Sequence, residues 1–210
     1  DANETVARMS FQKFFRLYHR LSGMTGTAKE AAAELWRIYD LPVIRIPVNK
    51  PCIRHVEKEQ FFATETEKWA AIVETIKKVH ATGQPILAGT SSVKSSEKLS
   101  KLLSKEGLVF QLLNAVNDSH EALMVRDAGQ QGKITVATNM AGRGTDIKLR
   151  DDTANKGGLF VVGTEWHESG RVDRQLFGRS ARQGDPGAVQ LFGSAEDELL
   201  RKYLHPTIIS

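Results

Sequence analysis

The sequence predicts an α/β fold, a parallel β-sheet with helices on both faces. Three observations lead there. Short apolar runs rich in β-branched residues recur, as in Ile86-Leu87-Ala88, Ile134-Thr135-Val136-Ala137, Leu159 to Val162 and Val189 to Phe192, and runs of that length suit buried strands. Longer stretches between them open on capping residues, such as Thr64-x-x-Glu67, which mark helix starts. The connections carry Gly, Ser, Thr and Arg, and loops that follow parallel strands gather at the carboxyl edge of the sheet, where ligands bind.

The elements follow in order. Ser10 caps a helix to about Leu21, with Phe11, Phe14, Phe15 and Tyr18 on one face, a stripe suited to a core or a domain contact. Leu21 to Thr25 reads as a short buried strand. Thr27-x-x-Glu30 is a capping box opening an Ala-rich helix to Tyr39, ended by Leu41-Pro42. Val43 to Ile46 is a strand, Pro47 and Pro51 bracket a loop, and Arg54 to Phe62 is an edge strand. The Thr64 box opens a helix to Thr82, stopped by Gly83 and Pro85. Strand 86–88 leads through Gly89-Thr90-Ser91-Ser92 into a helix ending near Glu106. Val109 to Leu112 is a strand, Ser119 to Ala128 a helix, and Ile134 to Ala137 the central strand. Asp151 to Gly158, polar and ending Gly-Gly, is the loop expected to be least ordered. After strand 159–162 come a helix from Glu168 to Phe177 and strand 189–192. Ser194 then caps a last helix with Glu196, Asp197 and Glu198 in its first turn, where the helix dipole favours acids.

With 210 residues, one domain or one plus a fragment is expected. Hydrophobic residues make up 40% and charged residues 26%, enough for a single core with an ordinary surface. A net charge of +4 and a pI near 9.2 fit nucleotide, anionic lipid or nucleic acid without choosing among them. The single cysteine, Cys52, allows no internal disulfide and no Cys-rich metal site, and it reads as a small packed residue rather than a nucleophile. No apolar run reaches the roughly eighteen residues of a membrane span. The opening Asp-Ala-Asn-Glu-Thr lacks the features of a signal peptide, so a reducing cytoplasm is the expected compartment. The histidines show no metal-ligand pairing, so no metal site is expected, and His167 reads as a hydrogen-bonded residue shaping its loop. Trp36, Trp69 and Trp166 are dispersed and offer no base-stacking platform.

Two stretches carry the chemistry. After the strand at Ile134 comes Thr138-Asn-Met-Ala-Gly-Arg-Gly-Thr-Asp-Ile147, in which Gly142 and Gly144 flank Arg143 and Asp146 follows. Glycines let backbone approach a ligand closely, Arg is a fork suited to phosphate, and an Asp can accept from a ribose or a neighbouring Arg. A plain strand-to-helix loop with a surface ion pair is the alternative. The second stretch, Gln175 to Asp185, holds Arg179 and Arg182. On a helix, that spacing puts both guanidinium groups on one face, and an anion such as a triphosphate would relieve their repulsion. The alternative there is a solvated basic helix end.

These stretches, Ala-Thr-Asn-Met-Ala-Gly-Arg-Gly-Thr-Asp-Ile and Gln-Leu-x-Gly-Arg-Ser-x-Arg-Gln-Gly-Asp-Pro-Gly, resemble the fifth and sixth helicase motifs of the SecA preprotein translocase ATPases. So do Gly23-Met-Thr-Gly-Thr-Ala28 and Gly163-Thr-Glu-Trp-His-Glu-Ser169. The resemblance runs from about Phe11 to about Arg201. It implies a RecA-like P-loop NTPase fold, specifically the second motor domain. It assigns residues 1–27 to the end of the first nucleotide-binding domain, 28–204 to the second, and 205–210 to a tail.

A P-loop ATPase needs Gly-x-x-x-x-Gly-Lys-Ser/Thr to wrap the phosphates and place a Mg²⁺ ligand. Near Gly132-Lys133, Asp127 stands where the first Gly would be and Ile134 follows the Lys. The acid pair that would hold metal directly after a strand is also missing, since Glu196-Asp197-Glu198 stands too far from its strand. In two-domain motors the first half binds phosphates and Mg²⁺, and the second supplies arginines. The resemblance therefore implies that Arg179 and Arg182 face the γ-phosphate as catalytic residues. It also implies that Gly142, Arg143, Gly144, Asp146 and Gln183 line the nucleotide cleft. ATP or ADP would be the ligand, with Mg²⁺ held by the first domain. Implied partners are that first domain, the membrane protein-conducting channel, the preprotein and anionic lipid, with a peripheral location on the cytoplasmic side of the membrane. Nucleic acid is disfavoured, the alternative being the second RecA-like half of a nucleic-acid helicase. The chain alone is expected to be inactive. Phe177 and Ala181 depart from the family, which commonly has Arg and Gly there. Phe177 removes a charge near the site, and Ala181 asks for negative φ.

Overall fold

The computed structural model describes residues 8–113, 124–138, 145–150 and 152–203. The chain divides between Val48 and Asn49 into two compact units.

In that first unit, Ser10 caps α1 (Phe11–Phe15) by accepting from the Lys13 amide at 3.2 Å. The helix stops well short of Leu21. None of its residues is buried, and so short a helix gains little without a packed face. Instead Phe14, Phe15 and Tyr18 contact one another, with ring centroids 5.5–6.5 Å apart. Thr27 is not the N-cap of the helix that follows. Thr25 Oγ1 accepts from the Thr27 amide at 3.2 Å, and the chain enters α2 (Ala32–Tyr39) through a 3₁₀ turn at Lys29–Ala31 that has no side-chain cap. The strands expected at Leu21 to Thr25 and Val43 to Ile46 are not strands. Among the described residues this unit has no sheet for them to join, and Ile44 and Ile46 stand exposed.

The second unit is a parallel sheet. Its strands are β1 (His55–Val56), β2 (Gln60–Phe62), β3 (Ile86–Thr90), β4 (Gln111–Leu113), β5 (Ile134–Thr138), β6 (Leu159–Gly163) and β7 (Gly187–Ser194). They lie in the order β1-β7-β6-β3-β5-β4, with β2 also pairing β7. Every pairing is parallel. The expected edge strand at 54–62 is thus two pieces on one side of β7, in register His55↔Ala188 and Gln60↔Phe192. The Gln190 side chain donates to Lys58 O at 3.2 Å in the break between them. The centre of the sheet is β6 and β3; β5, expected there, lies one strand in from the β4 edge.

Alternation along the strands explains the layers, since successive side chains point to opposite faces. Ile86, Ala88, Ile134, Val136, Phe160 and Val162 meet Trp69, Ile72, Ile76, Leu99 and Leu103 on one face. These last belong to α3 (Glu65–Ala81) and α4 (Val93–Lys105). The capping box of Thr64 and Glu67 forms on α3 as expected. Leu87, Ala137, Leu159, Val161 and Val189 point to the other face, against Val125, Ala128, Ile147 and Leu176. Each fully buried Ile or Leu contributes ~1.5–3 kcal/mol. The fold is thus α/β with helices on both faces.

Two connections differ from expectation. Residues 152–158 form a compact hydrogen-bonded turn, in which Thr153 is fully buried and Gly158 N donates to Thr153 O at 2.8 Å. Beyond β7, Ser194 ends the strand rather than capping a helix. Its amide and hydroxyl donate to the Asp197 carboxylate at 2.9 and 2.7 Å. That carboxylate pairs with Lys68 of α3, and both side chains are buried. The last helix starts only at Glu198. No helix among the described residues is long and apolar enough to cross a membrane.

Candidate functional site

The helix that sets the site is α5 (Gly170–Phe177), capped by Ser169, whose Oγ accepts from the Arg171 amide at 3.3 Å. It lies close on the sheet because β3 and β6 carry glycines beneath it. A methyl group on Gly89 would come within 2.5 Å of Leu176, and one on Gly163 within 3.3 Å of the Phe177 ring. Bare positions of this kind in strands mark close approach of another element. Phe177 therefore packs with the second core layer, turned toward the sheet.

Because α5 runs back along the sheet, the arginine loop that follows it does not lie at the carboxyl edge. It leads directly into β7, and Ser180 Oγ donates at 2.8 Å to the carbonyl of Leu159, the first residue of β6. That is the amino edge. The described end of the earlier motif, from Thr145 on, leads to the same edge. Arg150 N donates at 3.1 Å to Gly129 O, in the turn that precedes β5. The residues at the carboxyl edge are instead those of the Gly163 to Ser169 stretch. Glu165 accepts there from Ser91 Oγ at 2.5 Å, Trp166 packs where a side chain on Gly193 would stand, and its ring centroid is 5.8 Å from that of Phe61. His167 Nδ1 lies 2.5 Å from Asp173 Oδ1, which ties the loop to α5.

Arg179 and Arg182 do not share a helix face. The helix ends at Phe177, Arg179 follows in a turn with its amide donating to Leu176 O at 3.1 Å, and Arg182 opens a short 3₁₀ turn. Ala181 separates them in left-handed backbone, φ 56° and ψ 47°, the reverse of the negative φ expected. Gln183 is left-handed too, with φ 55°, and is exposed. The arginines nonetheless border one shallow depression with Ile147, Leu149 and Leu159.

Arg182 is held at two points. Its Nε donates to Gly178 O at 2.8 Å, and its Nη1 donates to Asp146 Oδ1 at 2.7 Å. The structure thus joins one residue from each predicted stretch. Gly142, Arg143 and Gly144 lie outside the described residues. The arrangement presents fixed cationic donors beside a carboxylate, a set that fits a polyphosphate with a neighbouring hydroxyl-bearing sugar.

Sequence reasoning missed Arg54. Its Nη1 donates to Phe177 O at 2.8 Å, immediately ahead of the arginine loop. No motif or periodicity marks it. Cys52, expected to be packed, is exposed, with its thiol 3.9 Å from Ala181 O.

Comparison with known proteins places these features in a family. The model of the SecA P-loop domain matches residues 51–156 and 150–209, and that of the SecA DEAD-like domain matches residues 1–36. The protein translocase subunit SecA of Oleidesulfovibrio alaskensis is 52% identical over 201 residues, covering 96% of this chain and 23% of the relative. Protein translocase subunit SecA 2 of Clostridioides difficile is 51% identical over 215 residues, covering 99% of this chain and 28% of the relative. The chain thus spans about a quarter of the length of these curated relatives. Among solved structures, the E. coli DEAD-box protein SrmB superposes with a TM-score of 0.57 at 19% identity, covering 74% of this chain and 88% of that one. Dbp5 of S. cerevisiae superposes with a TM-score of 0.58 at 16% identity, over 89% and 46%. At these identities the likeness is one of fold, the RecA-like domain of helicases.

Proposed function

The chain belongs to the SecA family, and from that premise we propose that it supplies the arginine-bearing half of an interdomain ATP site in a protein-translocating motor. The observation that carries the reading is the Arg182–Asp146 pair, which draws the two motif stretches into one site. Arg179 and Arg182 would face the transferred phosphoryl group, and Gly142, Arg143, Gly144, Asp146 and Gln183 would line the cleft. Bound ATP would supply the phosphoryl group whose transfer drives movement. This chain's contribution is to hold positive charge where negative charge develops, a role in which fixed donors act without reorganisation. Mg²⁺ would be held by the first motor domain, since the P-loop string is missing here.

Residues 1–27 would close that first domain, in keeping with the match of residues 1–36 to the DEAD-like domain. Residues 28–204 would form the second, ending in the 205–210 tail. The partners would be the first domain, the protein-conducting channel, the preprotein and anionic lipid, with the whole protein cytoplasmic and peripheral to the membrane.

The test is an ATPase assay of this chain alone and after addition of a separately made first motor domain. The chain alone is expected to stay at background and the mixture to turn over. Turnover by the chain alone that is lost in Arg182→Ala would refute the half-site reading. Tight RNA binding with steep salt dependence would favour a nucleic-acid helicase half.

A further inference from the structure

We propose that Arg54 is a positioning residue for the arginine loop, acting from outside the sheet to hold the turn that presents Arg182. The proposal rests on the reading of that loop as the charge-supplying half of the ATP site.

Three contacts carry it. Arg54 Nη1 donates to Phe177 O at 2.8 Å, and the same carbonyl accepts from Ser180 N at 3.1 Å. Carbonyls in the last turn of a helix lack intrahelical partners and sit at the negative end of its dipole. A guanidinium there makes a charge-assisted bond and closes the helix onto the turn. Two residues earlier, the Cys52 thiol lies 3.9 Å from Ala181 O. Two residues earlier again, Lys50 covers Gly184, where a methyl group would come within 2.9 Å of Lys50 Cδ. Side chains two apart share one face of an extended segment. Lys50, Cys52 and Arg54 thus meet Gly184, Ala181 and Phe177 in turn, the segment running along the loop in the opposite direction.

The segment is itself anchored. Arg54 immediately precedes β1, which pairs His55 with Ala188, and Glu57 N donates to Val189 O at 2.8 Å. On the inner side, Ser180 Oγ is bonded to Leu159 O. The loop between these anchors carries Ala181 and Gln183 in left-handed backbone. Such conformations in residues other than glycine persist where surrounding structure over-determines them. Arg54 is a charged part of that surround. Its Nε is buried and finds no partner among the described residues, a cost accepted to place Nη1 on the carbonyl. Among the described residues Arg54 bonds the Phe177 carbonyl, and it works through Phe177 and Ser180 on Arg182.

The test is steady-state ATPase in the complete motor, with amide exchange on the 210-residue chain. A small misplacement of a catalytic group can cost up to about 10²-fold. Arg54→Ala is therefore expected to lower kcat ~10-fold or more, with KM for ATP changed by less than ~3-fold. Arg54→Lys should recover most of that loss. Because the two residues act as one unit, adding Arg54→Ala to Arg182→Ala should cost little more than Arg182→Ala alone. The Ser180 and Asp185 amides should exchange faster in Arg54→Ala while those of β3 and β6 do not change. Wild-type kcat in Arg54→Ala beside a crippled Arg182→Ala overturns the positioning role alone, as do fully multiplicative losses in the double variant. Wild-type kcat in Arg182→Ala removes the ATP-site reading and this proposal with it. Should Arg54→Ala not fold, Arg54→Lys and Arg54→Gln decide: a greater kcat loss in Gln than in Lys supports the role, and wild-type kcat in both overturns it.

Discussion

Arg182 and Asp146 come from separate motifs and meet at 2.7 Å, guanidinium Nη1 on carboxylate Oδ1. Both side chains are substantially exposed, 39% and 46%, so the pair is worth at most about 1 kcal/mol to folding. On the proposed reading, its value lies in aiming the guanidinium. In the complete motor, Arg182→Ala and Arg179→Ala are expected to lower turnover by about 10³ or more. Ground-state ATP affinity should change far less, because the complemented charge develops during transfer. The unfolding midpoint should hardly move. Equal losses in affinity and turnover would make both arginines plain binding residues.

Nucleotide should bind this chain alone weakly, with a dissociation constant in the high-micromolar range or above, weaker than roughly −6 kcal/mol. On the proposed reading, this chain contributes only the arginine side of the cleft. Titration calorimetry with ADP checks this, and sub-micromolar binding would contradict it.

Ala181 stands at φ 56°, where an L-residue with a Cβ costs about 1–2 kcal/mol relative to right-handed backbone. Ala181→Gly removes that cost against a smaller entropic loss of about 0.5–1 kcal/mol. It is expected to raise stability by up to about 1 kcal/mol in urea unfolding. Ala181→Val should lower it by more than ~1 kcal/mol, since a β-branched residue is poorly accommodated there. Equal stabilities for Gly and Val would show that the backbone is not held in this conformation.

Lys68 and Asp197 form a buried ion pair in the second unit, with side chains only 2% and 4% exposed. Asp197→Ala leaves the ammonium buried without its counter-charge and should cost about 3–5 kcal/mol. Replacing both partners, as Lys68→Met with Asp197→Leu, should cost much less because no charge is stranded. The two Ser194 donors left by that exchange are the reason for expecting some residual loss. Denaturant melts of the two variants side by side decide it.

How far the sequence could be read depended on where each determinant lies. Ile86, Ile134 and Val161 declare strands by composition alone, and these do join one parallel sheet, though the Ile134 strand lies nearer its edge than expected. Thr64 with Glu67 and Thr27 with Glu30 carry the same capping pattern, yet only Thr64 stands at a helix N-cap. Thr27 lies ahead of a 3₁₀ turn, and its amide donates to Thr25 Oγ1. Residues 43–46 look like a strand, but a strand also needs a partner edge. The arginine loop was visible as a motif, while its place at the amino edge follows from α5 running back across Gly89 and Gly163, a packing relation between distant segments. Arg54 carries no local sign because its meaning depends on Phe177, far along the chain.

The pairing of β1 and β2 with β7 has a consequence for synthesis on the ribosome. Among the described residues, the strands within 55–62 find their partner in residues 187–194. At ~5–20 residues per second, roughly 7–25 s separate the making of the two. During that interval Val56, Phe61 and Phe62 emerge with no strand to receive them, and a chain stopped before Gly187 never acquires one. The order of the sheet thus makes completion of this unit a late event, closed by its last strand rather than grown outward from its first.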